Sequence, residues 1–244
     1  MYLLQLSVIS HLICDFLLQS KNIVELKYER KVKGYLFHFI TLFFSTFILS
    51  ILGINNFKIT FWFSLALSLL HIFIDIIKDI FRAHRPIEDL LVFLLDQLLH
   101  LTTIFFLWYY LVHIISIPVS TIPIFSHFNK DIGETLTVII FYLFVLFAGS
   151  ILLEKTLKVI DIKVKDRDEI SIGKYIGIIE RALILTLVVF GEISSIGIIF
   201  TAKSLARYKE LSEKRFVEYY LLGTLSSLFL ALVGGLILRS ILNQ

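Results

Sequence analysis

The chain has 244 residues, 57% of them hydrophobic and 18% charged, with a formal net charge of +3. Soluble domains carry roughly 45–50% apolar residues, so this composition and the mean hydropathy of +0.87 exclude an ordinary water-soluble globule. The single cysteine, Cys14, excludes an internal disulfide, and no basic patch interleaved with aromatics lies outside the apolar segments, so nucleic acid is not an expected partner.

A hydrocarbon core about 30 Å thick needs about 20 apolar residues per helix. Eight segments meet or approach that: 2–20, 34–54, 59–81, 88–115, 135–153, 174–190, 195–209 and 216–238. Segment 2–20 has no basic leader or small-residue cleavage site and carries His11 and Asp15, so it reads as a retained helix. Segment 116–134, with Pro118, Pro123 and Gly133, reads as an outer loop. It divides a four-helix domain over 1–115 from a second helical domain over 135–244. The seventh segment is short, and with the sixth it predicts a re-entrant hairpin around Gly191 or a tightly packed buried helix. The expected fold class is all-α: a polytopic integral membrane bundle of about seven to eight spans in two halves.

Orientation follows from the basic loops. Lys21, Lys27, Arg30, Lys31 and Lys33 lie in 21–33, and Lys78, Arg82 and Arg85 in 78–87. Lys155, Lys158, Lys163, Lys165, Arg167 and Lys174 lie in 154–174, and Lys203, Arg207, Lys209, Lys214 and Arg215 in 203–215. Of the 23 Lys and Arg, that leaves Lys58, Lys130 and Arg239 on the opposite side and Arg181 within a helix. The four basic loops are expected in the cytoplasm and both termini outside.

The first four segments hold His11, Asp15, His38, His71, Asp75, Asp96 and His100. Charged side chains in lipid cost roughly 2.5–3.5 kcal/mol on insertion scales and persist where they face a bundle interior with partners. His11–Asp15, His71–Asp75 and Asp96–His100 are each four residues apart, so each pair shares one helix face. Counting about 1.5 Å per residue from the inner helix ends places Asp15, His38, Asp75 and Asp96 in one layer roughly 6–13 Å below the cytoplasmic surface. Three readings compete. The first is a divalent metal site, expected to be zinc, with manganese or iron as alternatives. Seven donors exceed one ion's need, so two ions, or one ion and a general base, fit better. The second is a structural hydrogen-bonded network, and the third is a proton or ion path. Asp15, Asp75, Asp96 and His38 are the candidate catalytic groups, His38 as a seventh ligand or proton donor. Gln19, Lys78 and Gln97 are candidate supporting or substrate-binding groups. Gln19 stands one turn further along the His11–Asp15 face, and Lys78 extends the Asp75 face and can equally reach to the cytoplasm. His84, His113 and His127 lie in loops or near helix ends without such partners.

The strings HLICDFLLQSK (11–21), LFHFIT (36–41), HIFIDIIKD (71–79) and LLDQLLHL (94–101) resemble a bacterial domain-of-unknown-function family of polytopic membrane proteins. That family's ordered elements are His-x₃-Asp-x₃-Gln, a second His, His-x₃-Asp-x₂-Lys and Asp-Gln-x₂-His. The string from Ile172 to Leu225 looks like the family's longer form. The resemblance implies a protein of the bacterial cytoplasmic (inner) membrane. Its layout is similar to that of membrane-bound metal-dependent hydrolases.

In the second half, Glu180, Arg181, Lys203, Arg207 and Glu218 lie in or beside apolar segments. Adjacent Glu180 and Arg181 point to different faces, so Glu180 is expected to pair with Lys203 or Arg207, and Arg181 with Glu218. Together they read as an interhelical salt-bridge network or as an anion site for a phosphorylated headgroup or nucleotide. Gly173 and Gly177 have the small-xxx-small spacing of packed helices but sit at a membrane edge.

The expected function is metal-dependent hydrolysis of a lipid or lipid-linked phosphoester at the cytoplasmic leaflet. The partners would be membrane lipid and a phosphorylated lipid-like substrate. The alternatives are a proton or metal-ion transporter, disfavoured by the apolar outer halves of the second to fourth helices, and a non-enzymatic subunit that binds a partner through its basic loops.

Overall fold

The computed structural model describes residues 2–54, 56–81, 86–115, 131–160, 167–208 and 214–242. Among the described residues every regular element is a helix. α1 (Tyr2–Ile13) passes into a π-helical turn (Cys14–Leu18), and the chain then bends by 90° into α2 (Lys21–Tyr28). α3 (Val32–Ile51), α4 (Phe57–Ile80) and α5 (Pro86–Tyr109) follow, the last continued by a π-helical turn (Tyr110–Ile114). α6 (Asp131–Leu143) and α7 (Gly149–Val159) are joined by another (Phe144–Ala148). α8 (Arg167–Phe190), α9 (Ile196–Ala206) and α10 (Lys214–Ile241) complete the chain. Two compact units result, Met1–Ile140 and Phe141–Gln244.

In the N-terminal unit the helices are polar inside and apolar outside. α3 buries Gly34, His38, Leu42, Thr46 and Ser50, spaced by four, while Phe37, Phe44 and Ile48 on its other faces are exposed. α4 buries Thr60, Ser64, Ser68, His71 and Asp75 and exposes Trp62, Leu69 and Phe73. Hydroxyls join helix to helix: Ser10 Oγ lies 2.9 Å from Thr46 Oγ1 and 3.1 Å from Ser45 Oγ. Such bonds average about 0.6 kcal/mol in membranes. At one end of the unit Leu3, Ile54, Phe63, Leu67, Ile104 and Leu111 form an apolar core.

The C-terminal unit packs α8 against α10 around Val145, Leu185, Val188 and Ala231. The approach is close because Gly234 and Gly235 lack side chains. A Cβ there would stand 2.8 Å from Val145 Cγ2 and 2.7 Å from Val188 Cβ. Gly173 and Gly177 serve no such contact. A Cβ on the first would meet nothing within 4 Å, and on the second only Arg181. The expected turn at Gly191 is present, with φ +82° between α8 and α9.

Each of the eight predicted segments carries a helix, but fewer qualify as spans. Among the described residues five helices are long and apolar enough to cross a membrane: Val32–Ile51, Phe57–Ile80, Ile87–Ile114, Ile132–Val159 and Val217–Ile241. The bent pair Tyr2–Leu18 and Lys21–Tyr28 makes a sixth if it counts as one. The difference from seven to eight lies in α8 and α9. α8 carries charges over its first half, and the 11 residues of α9 reach only about 16 Å. These long apolar helices are compatible with an integral membrane protein. The predicted outer loop lies outside the described residues except for 131–134, as do residues 82–85 and 161–166 of the basic loops.

Candidate metal centre

The bend after α1 creates the site. The π-helical turn adds a residue to the helix and ends it at Gln19, which takes extended geometry. Ser20 then starts α2, its Oγ accepting the Ile23 N–H at 3.4 Å. α2 lies against the start of α3 because Gly34 has no side chain. A Cβ there would stand 2.8 Å from both Leu26 Cβ and Lys27 N. Arg30 closes α2 in the left-handed region at φ +55°, with the Lys31 N–H bonded to Leu26 O. Its guanidinium donates to Asp79 O, and Tyr35 donates to Asp79 Oδ2 at 2.6 Å.

This arrangement carries Lys27 inward. It is 5% exposed, and its ammonium donates to Asp75 Oδ2 at 2.5 Å. Lys78 donates to Asp75 Oδ1 at 2.6 Å and to Asp96 Oδ2 at 3.3 Å. Charge counting alone places Lys27 in a basic cytoplasmic loop; the structure buries it. The signal for its inward face is the stripe Ile23, Leu26, Lys27 (i, i+3, i+4), the only positions of α2 that are not exposed.

The seven candidate residues His11, Asp15, His38, His71, Asp75, Asp96 and His100 converge. His11, His38, His71, Asp75, Asp96 and His100 are buried, and the Asp15 side chain is 9% exposed. Asp15 Oδ1 lies 3.3 Å from His38 Nε2 and 3.2 Å from His71 Nε2, and the two imidazole nitrogens are 3.1 Å apart. Three donor atoms from three segments thus form a nearly equilateral triangle. Ligands about 2.0–2.1 Å from a tetrahedral ion stand about 3.3 Å from one another, so the triangle has the size of one face of such a site. Asp75 Oδ2 stands beside it, 3.5 Å from His38 Nε2 and 3.8 Å from His71 Nε2.

The remaining groups surround this triangle. His100 stacks on His71 at 3.8 Å between ring centres, and its Nε2 lies 3.2 Å from Asp96 Oδ1. Gln97 links two pairs, its amide donating to Asp96 Oδ2 at 3.2 Å and its carbonyl facing His11 Nε2 at 3.1 Å. A carbonyl only accepts, so Nε2 carries the His11 proton and the Nδ1 lone pair is left, 3.7 Å from Asp15 Oδ2. Gln19 makes no hydrogen bond to the cluster among the described residues, because the helix ends where it stands. His113 packs against Tyr109 and Trp108, away from the cluster, and His84 and His127 lie outside the described residues.

Several of these polar atoms are in contact with one another yet make no hydrogen bond of good geometry: His11 Nδ1, Asp15 Oδ1, His38 Nδ1, Asp96 Oδ1 and both ring nitrogens of His100. Buried polar atoms are rarely left so. With neutral imidazoles, Asp15, Asp75 and Asp96 outnumber Lys27 and Lys78 by one charge. A buried excess of negative charge demands a cation, either a proton on an imidazole or a metal ion. Beside that triangle, three overlapping groups among the described residues could hold an ion geometrically: His11–Asp15–His71, His38–His71–Asp75 and Asp75–Asp96–His100, the ligand atoms of each within 4.8 Å of one another. Lys78 bridges the two carboxylates of the third group, and Lys27 and Lys78 both hold Asp75. The orphaned atoms of Asp15 and His11 are free of any ammonium.

The sequence profile of DUF3307, described as a protein of unknown function, matches residues 3–128. The match contains every residue of the cluster and ends before the C-terminal unit begins. No curated protein and no solved structure matches the chain. The chain belongs to the DUF3307 family.

Proposed function

We propose that the protein is a polytopic enzyme of the bacterial cytoplasmic membrane that hydrolyses a lipid or lipid-linked phosphoester with the help of a divalent ion. The observation that carries this reading is the Asp15–His38–His71 triangle, whose edges of 3.1–3.3 Å match an ion's coordination face. Zinc suits two imidazoles and a carboxylate, and manganese or iron suits them less closely. One ion fits better than two, since Lys78 already stands between Asp75 and Asp96. The four basic loops face the cytoplasm and both termini lie outside. That holds whether α8 and α9 cross fully, giving eight spans, or form a re-entrant pair.

An ion in a site with an open position lowers the pKa of its bound water and polarises a phosphoryl oxygen. The protein's own groups do the rest. Asp15, His38 and His71 hold the ion. Asp75, held by Lys27 and Lys78, orients the attacking water. The Asp96–His100 pair accepts its proton and returns one to the leaving oxygen. Lys27 and Lys78 attract the phosphoester's negative charge. Gln97 fixes His11 and Asp96 in position.

A specific observation favours a second reading, a closed structural network. The two lysines satisfy Asp75 without any ion, and the two imidazoles can share a proton at 3.1 Å. The full-length protein in lipid nanodiscs separates the two. Its release of phosphate or headgroup from phosphomonoester and phosphodiester lipids is followed with chelator and after zinc or manganese is restored. Metal-dependent release that is lost in Asp15→Asn supports the enzyme. No release from any lipid under any metal, with the fold intact after chelation, leaves the closed network.

A further inference from the structure

The C-terminal unit contains a cavity of about 500 Å³ that the proposed hydrolysis does not use. Arg181 lies at its inner end, 3% exposed and without a carboxylate in ion-pair distance among the described residues. The expected partner, Glu218, is not bonded to it. Instead its Nε donates to Val145 O at 3.0 Å, its Nη2 to Leu146 O at 3.0 Å and to Ser150 Oγ, and its Nη1 to Ser227 Oγ at 3.2 Å. A guanidinium has five N–H groups, so one on Nη1 remains. That nitrogen stands over Gly177, 3.2 Å from where a Cβ would be, and Gly177 lines the cavity.

A buried cation surrounded only by neutral acceptors is expensive in protein and more so in lipid. The cavity beside it has two characters. Ser150, Thr224, Ser227 and Lys203 give a polar end, while Leu153, Leu157, Ile176 and Ile199 give an apolar wall. Lys203 is paired with Glu180 at 2.6 Å, so that pair is neutral, and Arg181 is the buried cation at this end; Lys174 and Arg207 also line the space. Glu154 and Glu180 also border the space, so an anion is accepted at the Arg181 end and not throughout.

We propose that this cavity binds an anionic amphiphile, its phosphate headgroup at Arg181 and Lys203 and its hydrocarbon along the leucine and isoleucine wall. The shared chemistry is a phosphate group. A phospholipid, not a free phosphate ion, is the occupant, because a free ion would leave most of an apolar-walled space of this size unfilled.

The full chain, purified in a neutral detergent, tests this by native mass spectrometry with short-chain phosphatidic acid, diacylglycerol of the same chains, and inorganic phosphate. The expected result is a phosphatidic acid adduct at least tenfold tighter than the diacylglycerol adduct and not displaced by millimolar phosphate. Equal binding of diacylglycerol, or displacement by phosphate as effective as by lipid, overturns the proposal. Arg181→Gln is expected to weaken the adduct at least tenfold but also removes hydrogen bonds that hold the fold. Gly173→Phe therefore accompanies it, since a Cβ at Gly173 enters open space at the cavity wall. Its thermal unfolding should match the wild type while the adduct falls at least tenfold. An undiminished adduct in Gly173→Phe overturns the assignment to this cavity. Asp15→Asn, in the other unit, should leave the adduct unchanged, so failure here is distinct from failure of the hydrolase reading.

Discussion

In the N-terminal unit the buried charges are acidic in balance and packed in direct contact. In the C-terminal unit the deeply buried Arg181 guanidinium has no carboxylate in ion-pair distance among the described residues and stands beside open space. Asp75 is 1% exposed and held by two ammonium groups, while Glu180 and Lys203 pair at 12% and 19% exposure. The same low dielectric acts on both, but only the first unit surrounds a buried carboxylate with two ammonium groups. The excess negative charge there calls for a cation, and the lone Arg181 calls for an anion. Net charge within a buried cluster thus indicates the sign of the missing ligand more directly than the residue types do.

The largest expected effect is at the centre of the closed network. Asp75→Asn strands Lys27 and leaves Lys78 only Asp96, and should destabilise the metal-free protein by about 3–5 kcal/mol, read as thermal unfolding in detergent. Lys27→Met should cost less, about 3 kcal/mol, because Lys78 still neutralises Asp75. It should also tighten zinc binding about tenfold, since a cation beside the ligand set is gone; weaker binding would show that Lys27 supports the ion instead of competing with it. Gly34→Ala should cost about 1–3 kcal/mol by forcing α2 away from α3, and hydrogen exchange should rise over 21–28 and leave α10 unchanged. Glu180→Gln, in the half-open pair of the other unit, should cost no more than about 1 kcal/mol. A loss as large as that of Asp75→Asn would erase the contrast between the units.

Much of the first unit was legible because helical spacing is local. The i, i+4 placement of His11–Asp15, His71–Asp75 and Asp96–His100 fixes a shared face, and polar faces in apolar helices turn inward. Lys27 was not legible from charge counting. α2 has only eight residues and stands among other basic residues, so it reads as loop. Its burial depends on Gly34 and on the 90° bend, which are tertiary facts. The placement of Gln19 assumed an unbroken helix, and the π-helical turn ends it there. The Glu180–Lys203 pair follows from the sequence, but the Arg181 partners do not. Val145 and Leu146 lie in the π-helical turn between α6 and α7, whose wider winding leaves their carbonyls able to accept from a side chain.

The central claim is that the Asp15–His38–His71 triangle and its neighbours hold a metal ion. Elemental analysis of the purified protein beside a His71→Ala/His100→Ala double variant tests it most directly. The account predicts close to one divalent ion per wild-type chain and less than a tenth of that in the folded double variant. A metal-free wild type, or equal metal in both proteins, would contradict it.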